Sequence, residues 1–138
     1  MRDGRIELNH LEMRTCNPSQ HANNPLGTLH QEQTLQRVVD VLERHINDPD
    51  LNVSKLCRLV HMDRSLLYRH LMATTSSAPL AFLHNYRQQK AYELMNTRLT
   101  LYEIADAVGY DSYRLFTKHF KAIYGVTPYE FRSLRKSL

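Results

Sequence analysis

The stretch GYDSYRLFTKHFKAIYGVTPYEFR, residues 109–132, contains two complementary stripes at helical spacing. If a helix opens at Asp111, its apolar side is suited to a core and consists of Phe116, His119, Phe120 and Ile123. Its opposite side consists of Arg114, Thr117, Lys118 and Lys121. Gly125 ends this helix, and the capping box at 127–130, with proline at the first helical position, predicts a last helix over about 128–135. The stretch therefore predicts a small helical unit that leaves a basic face exposed.

The pattern of this region occurs twice in the chain. VSKLCRLV (53–60) matches LYEIADAV (101–108) at an offset of 48, and LLYRHL (66–71) matches LFTKHF (115–120) at an offset of 49. Each half then has a short helix, a tight turn and a second helix, which is the helix-turn-helix layout. The outward positions also correspond. Ser65, Tyr68, Arg69 and Met72 of the first half occupy the positions of Arg114, Thr117, Lys118 and Lys121 of the second.

The outward stripes have two interpretations. Any amphipathic helix has a solvated polar side, which would give the stripes no function. Here, however, a basic side chain recurs at the same place after the same turn, as Arg69 in one half and Lys118 in the other. That recurrence favours a shared binding role.

The remaining segments set the domain organisation. Residues 1–33 are predicted to be a flexible leader or linker, because TCNPSQHANNPLGT (15–28) has almost nothing to bury. Residues 34–77 form the first helix-turn-helix subdomain, with Asp63 as the N-cap of its second helix. Pro79 opens a linker helix within 78–97. Residues 98–138 form the second subdomain, in which Thr100 to Glu103 is a capping box and Gly109 provides a positive-φ turn. No strand is predicted.

Charge and composition restrict the function. The net charge of +4 divides into −1 for residues 1–33 and +5 for the remainder, which favours an anionic partner such as nucleic acid. No apolar run approaches the roughly 20 residues of a membrane span, and the N-terminus is not a signal peptide. The two cysteines, Cys16 and Cys57, form no disulfide framework and are expected to be reduced thiols in a cytosol.

Double-stranded DNA fits the outward stripes geometrically. A major groove about 12 Å wide admits one α-helix, and exposed Arg, Tyr and Thr side chains can then hydrogen-bond to base edges. Nearby Lys and Arg hold phosphates without reading sequence. Two such helices about 34 Å apart would enter successive grooves, so that a monomer could cover an asymmetric site.

These residues resemble the DNA-binding region of the AraC/XylS family of bacterial transcription regulators. EIADAVGY (103–110) followed by LFTKHFKAIYGVTPYEFR (115–132) is similar to the C-terminal signature of the family, and SLLYRHL (65–71) and RQQKAYELM (87–95) support the match. The resemblance covers 34–135. It implies an all-α fold of seven helices, in which a long linker helix joins two helix-turn-helix subdomains.

The resemblance also implies a function. The protein is expected to be a sequence-specific transcription regulator in the bacterial cytoplasm and nucleoid. Its two recognition helices, which follow Asp63 and Asp111, would enter successive major grooves. It is expected to be an activator that binds an asymmetric operator and contacts RNA polymerase.

The resemblance also implies candidate site residues, carried over by position. The base-reading candidates are Ser65, Tyr68, Arg69, Tyr113, Arg114, Thr117 and Lys118. The phosphate-contact candidates are Arg64, Arg87, Ser112 and Lys121, and a structural role for Arg87 is preferred over a phosphate contact. The chain departs from the family where His61 and Ser76 replace common glycines and where Ala78 replaces the usual cap, so the first subdomain is expected to be the less rigid one.

Two other classes of function are alternatives. An enzyme is disfavoured, because the eight histidines form no metal motif and no catalytic constellation, metal site or cofactor site is predicted. His70 and His119 are predicted to be packed histidines. A protein-interaction module is the second alternative. Its affinity for its partner should not depend on the salt concentration, whereas the affinity of a DNA-binding protein for DNA should fall steeply as salt is added.

Many family members carry a separate effector domain, which 33 polar residues cannot build. The protein is therefore expected to be a stand-alone regulator or the output domain of a longer protein. It is expected to be monomeric by itself, with dimerisation through a missing effector domain as the alternative.

Overall fold

The computed structural model describes residues 25–137, and it describes side chains over 30–135. The described residues form seven helices joined by turns, with no strand among them, so the prediction of an all-α fold with seven helices is confirmed. The helices are α1 Pro25–His45, α2 Val53–Val60, α3 Arg64–Thr75, α4 Pro79–Leu94, α5 Leu101–Ala107, α6 Tyr113–Tyr124 and α7 Pro128–Ser137. None of these described helices is both long enough and apolar enough to cross a membrane. The expectations for Cys16 and the leader up to residue 24 lie outside the described residues.

Helix α1 begins nine residues before the predicted start at Thr34. Residues 25–33, predicted to belong to the flexible leader, are therefore its first turns. Pro25 suits a first helical turn because its φ is already fixed near the helical value. Gln and Glu at 31–33 are good helix formers, but they carry no apolar stripe from which a helix could be recognised. The prediction followed hydrophobic periodicity and so ended the leader too late.

The chain divides into two compact units. Among the described residues, unit 1 consists of 25–45 together with 51–83, and unit 2 consists of 46–50 together with 84–137. Helix α4 contributes its first five residues to unit 1 and the rest to unit 2.

Unit 1 encloses an aliphatic core between α1, α2 and α3. Asn52 caps α2 by accepting a hydrogen bond from the Lys55 amide at 2.8 Å, and Asp63 caps α3 by accepting one from the Leu66 amide at 2.8 Å. The cap at Asp63 is the one that the sequence predicted. The fully buried side chains include Val38, Leu42, Leu56, Val60, Leu67 and Leu71. Burial of such side chains contributes about 1.5–3 kcal/mol each and fixes which face of α3 remains outside.

Unit 2 has an aromatic core. Phe116 and Phe120 of α6 are fully buried with Ile104 of α5, and the rings of Tyr92, Tyr124 and Phe131 pack around them. Both predicted capping boxes are present, at Thr100 to Glu103 and at Thr127 to Glu130. One cap differs from the prediction: Ser112, not Asp111, caps α6 by accepting a hydrogen bond from the Leu115 amide at 3.1 Å. Helix α6 therefore begins at Tyr113.

The internal repeat extends to the backbone of the two turns. After α2, His61 takes a left-handed conformation with φ +60°, and the Met62 amide donates to the Cys57 carbonyl at 3.0 Å. After α5, Gly109 has φ +91°, and the Tyr110 amide donates to the Ala105 carbonyl at 2.9 Å. The same hydrogen bond thus closes both turns at an offset of 48 residues. Each half therefore has a helix-turn-helix backbone closed by this hydrogen bond, and in the second half the following helix starts one residue later.

Candidate nucleic-acid interface

Helix α3 presents the outward stripe that was predicted for unit 1. Ser65, Tyr68 and Arg69 are exposed, and so is Met72 one turn further along. Leu67 and Leu71, which lie on the other side of α3, are buried in the core. The predicted division of this helix into a buried and an exposed face is confirmed. The three base-reading candidates of unit 1 are accessible together.

Helix α6 presents a more basic stripe. Arg114, Lys118 and Lys121 are exposed along successive turns, opposite the buried Phe116 and Phe120. No described acidic side chain forms a salt bridge with these three cations. The pKa of the Glu130 carboxyl is lowered mainly by the hydrogen bond that it accepts from the Thr127 amide, and the charge of Lys121 lowers that pKa a little further. Three accessible cations on one helix face are suited to bind a polyanion.

Thr117 differs from the prediction. It is half-buried, and its hydroxyl oxygen is enclosed without a hydrogen-bond partner. The helical spacing placed Thr117 in the outward stripe, but the spacing does not determine the χ1 rotamer. Threonine has two accessible χ1 rotamers in a helix. A base contact by this hydroxyl would therefore require a rotation of the side chain.

Tyr113, the first residue of α6, is held among other rings. It is half-buried, its ring centroid lies 5.8 Å from that of Phe116, and its ring stacks on Tyr102 at 4.1 Å with an interplanar angle of 29°. Tyr102 lies on α5 and is 68% exposed. The periodicity of the inward residues of α5 does not single out Tyr102, which lies on the outward side of that helix. A large aromatic residue on the outward side of a short helix was the available signal.

The phosphate-contact candidates are placed differently from one another. Arg64 is exposed at the start of α3, and its guanidinium donates to the Ser54 hydroxyl on α2 at 3.0 Å. Lys121 is exposed on α6. Ser112 is half-buried and its hydroxyl already accepts the capping hydrogen bond of α6. A hydroxyl in that position can still donate its own proton to an acceptor.

Arg87 is 5% exposed and does not present its guanidinium to solvent. Its Nη2 donates to the Asp48 carbonyl at 2.9 Å, and its guanidinium lies 6.0 Å from the centroid of the Tyr110 ring. Burial lowers the pKa of Arg87, although an arginine remains charged at neutral pH. The preferred structural role agrees with this geometry, and the alternative role in phosphate contact does not.

A polar network anchors α6 inside unit 2. The Gln88 amide donates to the Tyr110 hydroxyl at 2.9 Å, and the same hydroxyl lies 2.8 Å from Nδ1 of His119. The His119 ring packs on His84, with centroids 4.4 Å apart. Burial lowers the pKa of both histidines, and the charge of Lys118 lowers that of His119 further. His119 is therefore a packed histidine, bonded to a tyrosine hydroxyl.

His70 of unit 1 is also partly buried, and its ring meets His30 edge-on at 5.8 Å. Burial lowers its pKa, and His30 and Arg69 lower it further. No cluster of three metal-ligating side chains occurs within the part of the chain that the structure describes.

Two helix-turn-helix backbones, each with a second helix that exposes basic and hydrogen-bonding side chains, define a DNA-binding class of protein. A family model described as a helix-turn-helix domain matches residues 56–133, and the chain belongs to this AraC-type family. The fold is that of AraC-type DNA-binding domains, and the similar proteins include transcription regulators.

Individual relatives agree. The chain is 31% identical over 100 residues to the HTH-type transcriptional regulator MtrA of Neisseria gonorrhoeae, covering 70% of this chain and 33% of MtrA. It is 26% identical over 104 residues to the F1 operon positive regulatory protein of Yersinia pestis, covering 75% of this chain and 35% of that protein. The DNA-binding domain of AdpA, solved in complex with a target DNA, matches with a TM-score of 0.68 and 26% identity over 75% of this chain and 93% of that domain. The chain spans about a third of the length of these two curated relatives.

Proposed function

We propose that this protein is a sequence-specific regulator of transcription that inserts α3 and α6 into successive major grooves of double-stranded DNA. The observation that carries the proposal is the pair of exposed stripes on these helices, each following the same helix-turn-helix backbone. A helix of this kind fits one major groove, and its exposed side chains then reach base edges.

The candidate residues of α3 and α6 divide into two roles under this proposal. Arg69 and Arg114 can each donate two parallel hydrogen bonds to guanine, whereas Lys118 offers a point charge without that geometry. Ser65, Tyr68 and Tyr113 add hydroxyl donors and acceptors. The exposed cations Arg64 and Lys121 bind phosphates and set the register of each helix on the duplex.

The arrangement favours an asymmetric operator bound by a monomer. The two stripes share a layout but differ in chemistry, since Tyr68 and Met72 of α3 correspond to Thr117 and Lys121 of α6. Two unlike readers on one chain select two unlike half-sites, so no palindrome is needed. We further propose that the protein activates transcription through contact with RNA polymerase; one similar protein is named a positive regulator.

Selection of binding sites from random duplexes tests this function. We expect a two-part asymmetric motif of about 20 base pairs, because the half-sites of paired helix-turn-helix units lie one helical turn apart. Affinity for the selected duplex should fall by orders of magnitude between about 50 and 200 mM salt. A protein that selects no motif, or whose binding is insensitive to salt, would contradict the proposal.

Arg114→Ala tests the reading role of α6. The variant should lose about 1–3 kcal/mol of binding free energy on the selected duplex and should lose its preference at one base pair. The matched control is Arg98→Ala, which removes the same charge from an exposed position outside α6. The control should keep every base preference. An Arg114→Ala variant with an unchanged specificity profile would show that this arginine does not read a base.

A further inference from the structure

A stacked aromatic pair joins the first turns of the two helices of the unit 2 helix-turn-helix. Tyr102 is the second residue of α5, and Tyr113 is the first residue of α6. Their rings are stacked with centroids 4.1 Å apart and planes inclined by 29°. Because Tyr102 is 68% exposed, most of its ring contributes nothing to the core. The packing of α5 therefore does not account for an aromatic residue at this position.

The partner in this stack is one of the base-reading candidates. Tyr113 packs on one side against Phe116 of the core, with centroids 5.8 Å apart, and on another against Tyr102. Tyrosine has only two side-chain torsions that move its ring, and contacts on two sides restrict both. Without Tyr102, solvent would replace one of these contacts and further rotamers would become accessible. Tyr102 thus limits where the Tyr113 hydroxyl can point.

We propose that Tyr102 is a positioning residue for DNA recognition, which holds Tyr113 in the orientation that reads a base. This inference rests on the proposed function. In a helix-turn-helix, the N-terminal residues of the recognition helix meet base edges while the first helix crosses the DNA backbone. The stack joins the first turns of these two helices. A side chain ordered before binding loses less conformational entropy in the complex, so the stack improves both affinity and selectivity.

The test compares four variants of the full chain on the duplex that wild type selects and on duplexes changed at one base pair at a time. Tyr102→Ala removes the stack, and Tyr102→Phe keeps the ring and removes only the hydroxyl. Tyr113→Ala removes the proposed reader, and the double alanine variant closes a thermodynamic cycle. Tyr129→Ala is the matched control, because Tyr129 is a 70% exposed tyrosine on α7.

Tyr102→Ala should weaken binding to the selected duplex by roughly 2- to 12-fold, the factor that corresponds to the energy of an aromatic pair. It should also reduce the preference at the same base pair whose preference Tyr113→Ala abolishes. Tyr102→Phe should restore the wild-type preference, and Tyr129→Ala should leave it unchanged. The double variant should bind no more weakly than Tyr113→Ala, because Tyr102 acts through Tyr113.

Three results would overturn the positioning role while leaving DNA binding established. They are a full preference at that base pair in Tyr102→Ala, additive losses in the double variant, and a Tyr113→Ala variant that keeps every preference. Should Tyr102→Ala lose its helical circular dichroism, Tyr102→Leu keeps apolar bulk without a ring face and must show the same reduced preference. A wild-type protein that selects no motif is a different result, and it contradicts the proposed function itself.

Discussion

Gly109→Ala is expected to destabilise unit 2, because Gly109 lies close to the backbone of Ile46 and the side chain of Arg87. The other glycine whose surroundings the structure describes, Gly125, has no such neighbour. A Cβ at residue 109 would clash with the Ile46 carbonyl oxygen and would lie 2.9 Å from Nη2 of Arg87. The φ of +91° also disfavours any L side chain. To admit the methyl group, the 46–50 segment must move, and the hydrogen bond from Arg87 to the Asp48 carbonyl must lengthen.

The size of the effect follows from a matched control. Gly125 has a similar φ of +85°, but a Cβ there meets nothing within 4 Å. The change in unfolding free energy for Gly125→Ala therefore contains the backbone strain of about 1–2 kcal/mol and the opposing loss of conformational entropy in the unfolded chain. It contains no contribution from a steric clash. The difference between the two variants is the cost of overpacking alone, about 1–3 kcal/mol. With a urea dependence of about 2 kcal/mol per molar, the two unfolding midpoints should differ by about 1 M.

Tyrosine emission during urea unfolding measures this difference. The chain has no tryptophan, and of its eight tyrosines only Tyr68 belongs to unit 1, which leaves seven in unit 2. The signal therefore reports mainly on the unit that contains both glycines. Equal midpoints for Gly109→Ala and Gly125→Ala would refute the reasoning, because they would mean that the close approach to Ile46 does not constrain residue 109.

Three further predictions concern the interface, the unit 1 core and pH. Lys121→Ala should weaken binding to all duplexes alike and make the salt slope shallower by about one unit, and an effect confined to one operator would contradict a phosphate role. Leu56→Asp should unfold unit 1, because Leu56 is fully buried and the new charge would have no partner. The control Leu80→Asp, at a 53% exposed position, should melt like wild type when followed by circular dichroism. Equal melting curves for the two variants would refute the assignment of Leu56 to the core. The melting temperature should fall as pH drops below about 6.5, since burial lowers the pKa of His84 and His119 and the unfolded chain then binds more protons. His119→Asn should make that fall shallower, and a melt independent of pH would contradict the burial of the two rings.

Caps and turns were predictable because their chemistry is local. Asp63 and Thr100 each accept a hydrogen bond from an amide three residues later, as the sequence indicated. Such a contact depends on a few neighbouring residues and so appears in the sequence itself. The exception is the start of α6, where Asp111 and Ser112 are adjacent and both are good N-caps. Local preference does not choose between them, and in the structure Ser112 accepts the capping hydrogen bond.

The sequence alone determined two helix-turn-helix repeats, the face that each second helix buries, and the exposure of Arg69 and Lys118. These features follow from the angle at which each residue leaves a helix, which the 3.6-residue period sets. Only the tertiary structure decided that the Thr117 hydroxyl is enclosed, that Arg87 bonds to the Asp48 carbonyl, and that Tyr102 stacks on Tyr113. Periodicity states the side of a helix on which a residue lies, but not its rotamer or the element that packs against it. Those depend on contacts between residues distant in the chain, and they exist only once the core has formed.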